Sequence, residues 1–235
     1  MDKKLRYFVN AIVFDYDGTL CEFQIPFLKM RRELIDFLIS NFKISNDYLL
    51  IEDRISIIGK KTRKFLEDNN RIHEWEHVKE EMEKIVKRWE WQSAKKNEIY
   101  PYVSDLLNFF KNLNIKMGIF TLEPREIIDF LLEKHNIKSF FKSIIARDDV
   151  INPKPHSEHL MKVLEELESD PKHTLVVGDH PIDIECANTI GAISVAVLNK
   201  RHDKKDYNGF KVDYFLNNLS ELKELFERKS EGMKI

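Results

Sequence analysis

Two aspartates separated by one residue, Asp15 and Asp17, leave an apolar run in the stretch VFDYDGTL, Val13 to Leu20. Like charges this close repel, so the pair calls for a cation, or for work in which one carboxylate is charged while its neighbour is protonated. Partners of the right kind lie further along. Thr121 ends the run IKMGIFT, Asp179 and then Asp183 follow HTLVVG, and Lys154 stands between Pro153 and Pro155 in NPKPHSEHL. Two flanking prolines restrict the backbone and keep that ammonium from wandering. Aspartates, a threonine and a pinned lysine complement a phosphoryl group and a hard divalent cation. Magnesium takes oxygen ligands and bridges carboxylates to phosphate, while hydroxyl, ammonium and turn N–H groups bind phosphate oxygens. Gly18 permits the backbone to come close to a ligand. An ordinary Asx-type turn at Asp17 and Gly18 is the bland alternative, and it accounts for none of the other three motifs.

These residues need a scaffold that gathers them. Short runs rich in Val, Ile and Phe alternate with amphipathic helical stretches, the pattern of a parallel sheet covered by helices. Strands are predicted at FVNAIVF, IKMGIFT, SIIA, HTLVVGD, ISVAVL and DYFL, and helices at VSDLLNFFKNL, PREIIDFLLEKHN, SEHLMKVLEELE, PIDIECANTIG and SELKELFERK, with SEGMKI fraying at the end. In such a sheet ligands bind beyond the carboxyl ends of the strands, where the polar residues above all fall. The stretch from about Cys21 to Asn97 shows no strand pattern, and apolar residues recur at helical spacing through IPFLKMRRELIDFLISNF, NDYLLIEDRISIIG and HEWEHVKEEMEKIVKRWEWQ. The expectation is therefore an α/β core over residues 1–20 and 98–235, with an all-helical insertion over 21–97 forming a lid hinged beside the polar turn.

The bulk numbers agree with a globular enzyme-sized chain. It has 235 residues, 43% hydrophobic and 33% charged, enough to bury a sizeable core. A net charge of -2 offers no global field to recruit nucleic acid or an anionic membrane. No apolar run is long enough to span a bilayer, and the opening MDKKLRYFVNAIVF lacks the features of a secretory signal, so a cytoplasmic address is expected. Cys21 and Cys186 lie far apart with no CxxC spacing, so neither a zinc site nor a disulfide framework is expected.

The motifs DYDGTL, Thr121 at a strand end, Lys154 in PKPHSEHL, and GDHPIDIECANTIGA resemble the four ordered motifs of the haloacid dehalogenase-like (HAD) superfamily of phosphohydrolases. The match runs from about Ala11 to Leu198, and the helical insertion resembles the cap of phosphoglycolate phosphatases and their relatives. The resemblance implies a Rossmann-like parallel sheet with an inserted helical cap, and a magnesium-dependent phosphatase for a small phosphorylated metabolite, a phosphoglycolate-type monoester by default. It further implies Asp15 as the nucleophile forming an aspartyl-phosphate and Asp17 as the general acid and base. Asp15 and Asp179 would hold Mg2+ through their side chains, Asp17 would add its main-chain carbonyl, and Asp183 would orient from behind. Thr121 and Lys154 would hold the transferring phosphoryl, with Gly18 and Leu122 beside them. A phosphomutase of the same superfamily, or a silent binder of a phospho-ligand or protein, are the alternatives. Dehalogenating relatives lack the second aspartate, which disfavours that reaction here. The chain departs from the family pattern at CEFQIP, where Asp-Ser is usual, at TLEP after the threonine, at Ser157 in place of a second proline, and at Tyr102 in place of glycine.

The remaining polar and aromatic residues read more plainly. His180 could touch the leaving group or be a solvated loop residue. His156 and His159 share a helical face but have no further ligands nearby for zinc. The run KKTRK, Lys60 to Lys64, could steer anions, though such runs are usually solvated faces. Trp75, Trp89 and Trp91 are expected to pack within the helical insertion.

Overall fold

The computed structural model describes residues 5–22 and 25–227, and the expected fraying of SEGMKI lies outside them, as does part of CEFQIP. The chain divides into two compact units, Met1–Phe23 with Asn97–Ile235, and Gln24–Lys96. In the first unit six strands, β1 (Ala11–Phe14), β2 (Lys116–Phe120), β3 (Ser143–Ile145), β4 (Thr174–Gly178), β5 (Ile193–Val197) and β6 (Tyr214–Leu216), form one sheet of order β3-β2-β1-β4-β5-β6. Every neighbouring pair runs parallel. Strands covered on both faces read as unbroken apolar runs, and β1, with all four residues AIVF buried, shows why no alternation marks it. The α-helices are α1 (Leu5–Phe8), α2 (Phe27–Phe42), α3 (Ile55–Asp68), α4 (Trp75–Lys96), α5 (Val103–Asn112), α6 (Arg125–Lys134), α7 (Ser157–Leu167), α8 (Pro181–Ile190) and α9 (Glu221–Glu227). One core layer packs α7 on the sheet through Val163, Leu164 and Leu167 against Ala11, Val13, Phe120 and Val176.

The strand order places the switch point of the sheet at β1. From β1 the chain builds outward through β2 and β3 on one side, and through β4, β5 and β6 on the other. A crevice therefore opens at the carboxyl end of β1, between loops that leave in opposite directions.

The helical unit has its own core, in which Leu34 and Leu38 of α2, Ile58 and Leu66 of α3, and Val78, Met82 and Ile85 of α4 are buried together, with Trp75 and Trp89 packed against them. The Trp89 indole N–H donates to Glu33 across the pair α2 and α4 (2.8 Å). Two local expectations need correction. The stretch FVNAIVF is not one strand: Val9 donates its N–H to the Leu5 carbonyl (2.8 Å), closing α1, and the strand begins only at Ala11. Nor is NDYLLIEDRISIIG one helix. Asp53 accepts the Leu50 N–H with its side chain (3.0 Å), and that local bond holds a turn until α3 starts at Ile55. In the described residues no helix is long and apolar enough to cross a membrane.

Candidate active site

Past the pairs Phe14–Ile119 and Phe14–Val177 the ladder carries one more bond, from the Asp15 N–H to the Val177 carbonyl (2.9 Å). Asp15 thus emerges level with the ends of β2 and β4. From there the chain turns at once. Leu20 N–H returns to the Tyr16 carbonyl and Gly18 N–H to the Cys21 carbonyl, each at 2.9 Å. Gly18 has φ +88°, and a Cβ there would stand 2.2 Å from Asp179 Oδ2. Its missing side chain is the space that Asp179 occupies. The Gly18 N–H itself is used inside the turn, in its bond to the Cys21 carbonyl.

Lys154 enters this crevice from the loop after β3. Its ammonium donates to Asp15 Oδ1 (2.6 Å) and to Asp183 Oδ1 (2.7 Å), and lies 3.6 Å from the centre of the Phe120 ring. Thr19 donates its hydroxyl to Asp15 Oδ2 (3.3 Å). Asp183 caps α8 with its other oxygen, accepting the His180 N–H (3.1 Å). Asp183 is therefore engaged by both Lys154 and the start of α8. Ligand oxygens of Asp15, Asp179 and Asp183 lie within 4.8 Å of one another, and all three residues are buried.

Burial drives the Asp179 carboxyl up to about 8, with Asp15 and Asp183 adding repulsion. Burial likewise raises Asp15 to about 6, against the pull of Lys154. For Lys154 burial works against the charged form, yet Asp15 and Asp183 outweigh it and hold the pKa above the ordinary lysine value. One buried ammonium among three buried carboxylates leaves an excess of negative charge, supplied entirely by oxygen donors. That donor set suits a hard divalent cation such as magnesium.

Asp17 lies in the turn that follows Asp15, close enough for the two charges to interact. Its carboxyl meets the Cys21 thiol (3.7 Å) and the side chain of Glu123. Burial and then Asp15 raise its pKa to about 6. Two carboxyl groups can share a hydrogen bond only if one carries the proton. Thr121 is buried at the end of β2, where its hydroxyl accepts the Glu123 N–H (3.1 Å) and its own N–H goes to the Ile145 carbonyl (3.1 Å). Leu122 is exposed, and its carbonyl accepts from Arg147 (3.3 Å).

Several members of the site have no motif to announce them. Asn199, just past β5, donates to Asp179 Oδ2 (2.7 Å), and Tyr207 donates to the Asp179 carbonyl (2.6 Å). Asn97 donates to Cys21 Sγ (3.1 Å) and accepts from Tyr16 (3.2 Å), bracing the turn that carries Asp17. His180 accepts the Ile182 N–H (3.1 Å) and so begins α8, while its ring meets that of His202 edge-on at 4.7 Å. His156 accepts the Glu158 N–H (3.1 Å) at the start of α7. The KKTRK run lies on α3, where Lys61 pairs with Asp53, Arg63 with Glu67 and Lys64 with Asp68. Both cysteines are free and buried.

A parallel sheet whose switch point holds an aspartate between a buried lysine and two further aspartates defines a haloacid dehalogenase-like hydrolase. The chain belongs to that family: the family model for Haloacid dehalogenase-like hydrolase matches residues 12–197. Among curated relatives it is similar to pyrophosphatase PpaX of Bacillus mycoides (strain KBAB4), with 30% identity over 230 residues, 94% of this chain and 98% of that protein. Its fold is similar to the crystal structure of a candidate haloacid dehalogenase-like hydrolase from Bacteroides fragilis, with TM-score 0.69, 21% identity, and coverage of 91% of this chain and 99% of the other. A candidate phosphoglycolate phosphatase from Lactobacillus plantarum superposes with TM-score 0.67 at 20% identity, covering 93% and 99% of the two chains.

Proposed function

We propose that this hydrolase is a magnesium-dependent phosphatase that cleaves a small phosphorylated compound through an aspartyl-phosphate on Asp15. The observation that carries the reading is Asp15 itself, buried and bonded to Lys154 at 2.6 Å beside Asp179 and Asp183. A buried carboxylate kept ionised by a neighbouring ammonium, and aimed at a cluster fit for a cation, is an activated nucleophile. Asp15 attacks phosphorus as the bond from phosphorus to the leaving oxygen breaks. Asp17, raised to about 6 by burial and by Asp15, delivers a proton to that oxygen. Water then attacks the aspartyl-phosphate, Asp17 takes a proton from it, and inorganic phosphate leaves with Asp15 restored. Lys154 and Thr121 bind the phosphoryl oxygens in both steps. Bound magnesium would supply charge neutralisation for the transferring group, held by the carboxylates of Asp15 and Asp179 and the main-chain carbonyl of Asp17. The helical unit Gln24–Lys96 is read as the cap that selects the leaving group.

The substrate to try first is inorganic pyrophosphate, because the named activity of the 30% identical relative is pyrophosphatase. A phosphoglycolate-type monoester is the second arm. The test is phosphate release from pyrophosphate, 2-phosphoglycolate, sugar phosphates, nucleotides and phosphoserine, with magnesium and with chelator. Phosphorus NMR run alongside separates release from transfer back to a sugar, which would mark a mutase. Absence of metal-dependent turnover across the whole panel would overturn the phosphatase reading in favour of a silent binder.

A further inference from the structure

His159 lies five residues beyond Lys154, in α7, and is fully buried. Both of its ring nitrogens are engaged. Nδ1 accepts the main-chain N–H of Lys154 (3.3 Å), and Nε2 lies 2.9 Å from the carbonyl of Ile145. A main-chain N–H only donates and a carbonyl only accepts, so the ring carries its single proton on Nε2. Burial pushes its pKa down to about 4, which keeps it neutral.

What this ring joins is specific. The Ile145 carbonyl also accepts the Thr121 N–H (3.1 Å), so one oxygen at the end of β3 holds both Thr121 and His159. The imidazole meets the Phe120 ring edge-on at 5.8 Å, and the Lys154 ammonium lies over that same ring. On the other side, Pro153 and Pro155 have no N–H, so Lys154 supplies the one main-chain donor of its tripeptide, and His159 takes it. The imidazole is thereby the bridge from the ends of β2 and β3 to the main chain of the lysine.

We propose that His159 is a positioning residue for Lys154, the neutral ring fixing the lysine main chain against the ends of β2 and β3 and so setting where the ammonium meets Asp15 and a phosphoryl group. The phosphoryl part rests on the phosphatase reading of the site; the placement of Lys154 does not. Two substitutions in the full chain separate positioning from packing. In His159→Asn the side-chain oxygen takes the place of Nδ1 and still accepts from Lys154. In His159→Gln the amide nitrogen still reaches the Ile145 carbonyl, but the acceptor for Lys154 is gone.

Orthovanadate affinity, as a phosphoryl mimic, is measured together with the slowly exchanging Lys154 ammonium resonance in nitrogen-15 lysine-labelled protein, and melting temperature is recorded for both variants. His159→Gln should weaken vanadate binding about tenfold, as expected when a buried donor is left without its acceptor, and should lose the ammonium signal. His159→Asn should stay within about threefold of wild type and keep the signal, even if its melting temperature falls as far. Equal losses of affinity that merely follow melting temperature, or no loss in either variant, would overturn the positioning role. Wild-type protein that binds no vanadate would sink the phosphatase reading instead. The ammonium signal then decides the inference: lost in His159→Gln and kept in His159→Asn upholds it, and any other pattern overturns it.

Discussion

With all divalent metal removed, this protein should lose stability relative to Asp179→Asn as pH rises from 6.5 to 8.5, and Asp179 is the group responsible. Its carboxyl is raised to about 8 in the folded chain by burial and by Asp15 and Asp183, whereas an unfolded aspartate titrates near 3.8. A raised acid holds its proton in the folded state after the unfolded state has lost it. The stabilisation is full below 3.8 and disappears as pH climbs through about 8, so stability falls with pH in this window. From pH 6.5 to 8.5 the extra proton on Asp179 in the folded chain falls from nearly full occupancy to about a quarter, and at about 1.36 kcal/mol per pH unit this integrates to about 2 kcal/mol. For a chain of this size that is a drop of about 4–8 °C in melting temperature. His159, His135 and His202 oppose it: burial lowers all three from 6.5, so their contribution still grows with pH at 6.5 and is complete only above about pH 7.5. Asp179→Asn keeps all three and serves as the reference that cancels it. The assay is thermal melting in chelator across pH 6.5–8.5 for wild type and Asp179→Asn, repeated with magnesium. Wild type should lose stability relative to Asp179→Asn by that amount across the window, and magnesium, which favours the ionised carboxylates, should stabilise wild type more at pH 8.5 than at 6.5. The same pH profile in wild type and Asp179→Asn would refute the charge assignment at Asp179.

Asp15→Asn should reduce metal-dependent turnover at least about a thousandfold while the melting temperature in chelator holds or rises, since one of three mutually repelling buried carboxylates is neutralised. Steady-state kinetics beside calorimetry checks this, and substantial residual turnover would remove Asp15 from the nucleophile role. Lys154→Met leaves Asp15 and Asp183 without their shared ammonium and should cost about 3–5 kcal/mol in urea unfolding near pH 7; an unchanged midpoint would contradict the buried ion pairs. Gly18→Ala places a methyl 2.2 Å from Asp179 Oδ2 at a φ of +88°, so Asp179 must shift. Magnesium affinity by titration calorimetry should fall about tenfold or more, and an unaltered affinity would mean that Asp179 is not a ligand.

Much of the core could be read from the chain because both of its signals are local. Unbroken apolar runs mark strands buried on two faces, and a polar residue at the end of such a run must lie on the carboxyl rim of a parallel sheet. That logic reaches Asp15, Thr121 and Asp179 without coordinates. It fails for Asp17. In an extended strand residues 15 and 17 would share a face, but the strand ends at Phe14 and the turn closed by Leu20 sends the second carboxyl toward Cys21 and Glu123. It fails again between Asn46 and Arg54, where helical spacing of apolar residues is overridden by the bond between Asp53 and Leu50. Asn199, Tyr207 and His159 were out of reach for another reason: each acts through one bond to a residue that has a motif, while having none itself.

By itself the amino-acid order determined which groups could do chemistry and that strand ends would carry them to a common rim, since apolar periodicity and strand polarity are properties of short segments. Only the tertiary structure decided that Lys154 bonds Asp15 and Asp183 together, that Asp179 fills the space left by Gly18, and that a neutral imidazole ties the lysine loop to two strands. Those arrangements depend on groups distant in the chain meeting in space, Lys154 and Asp15 being 139 positions apart, and packing, not local spacing, sets such distances.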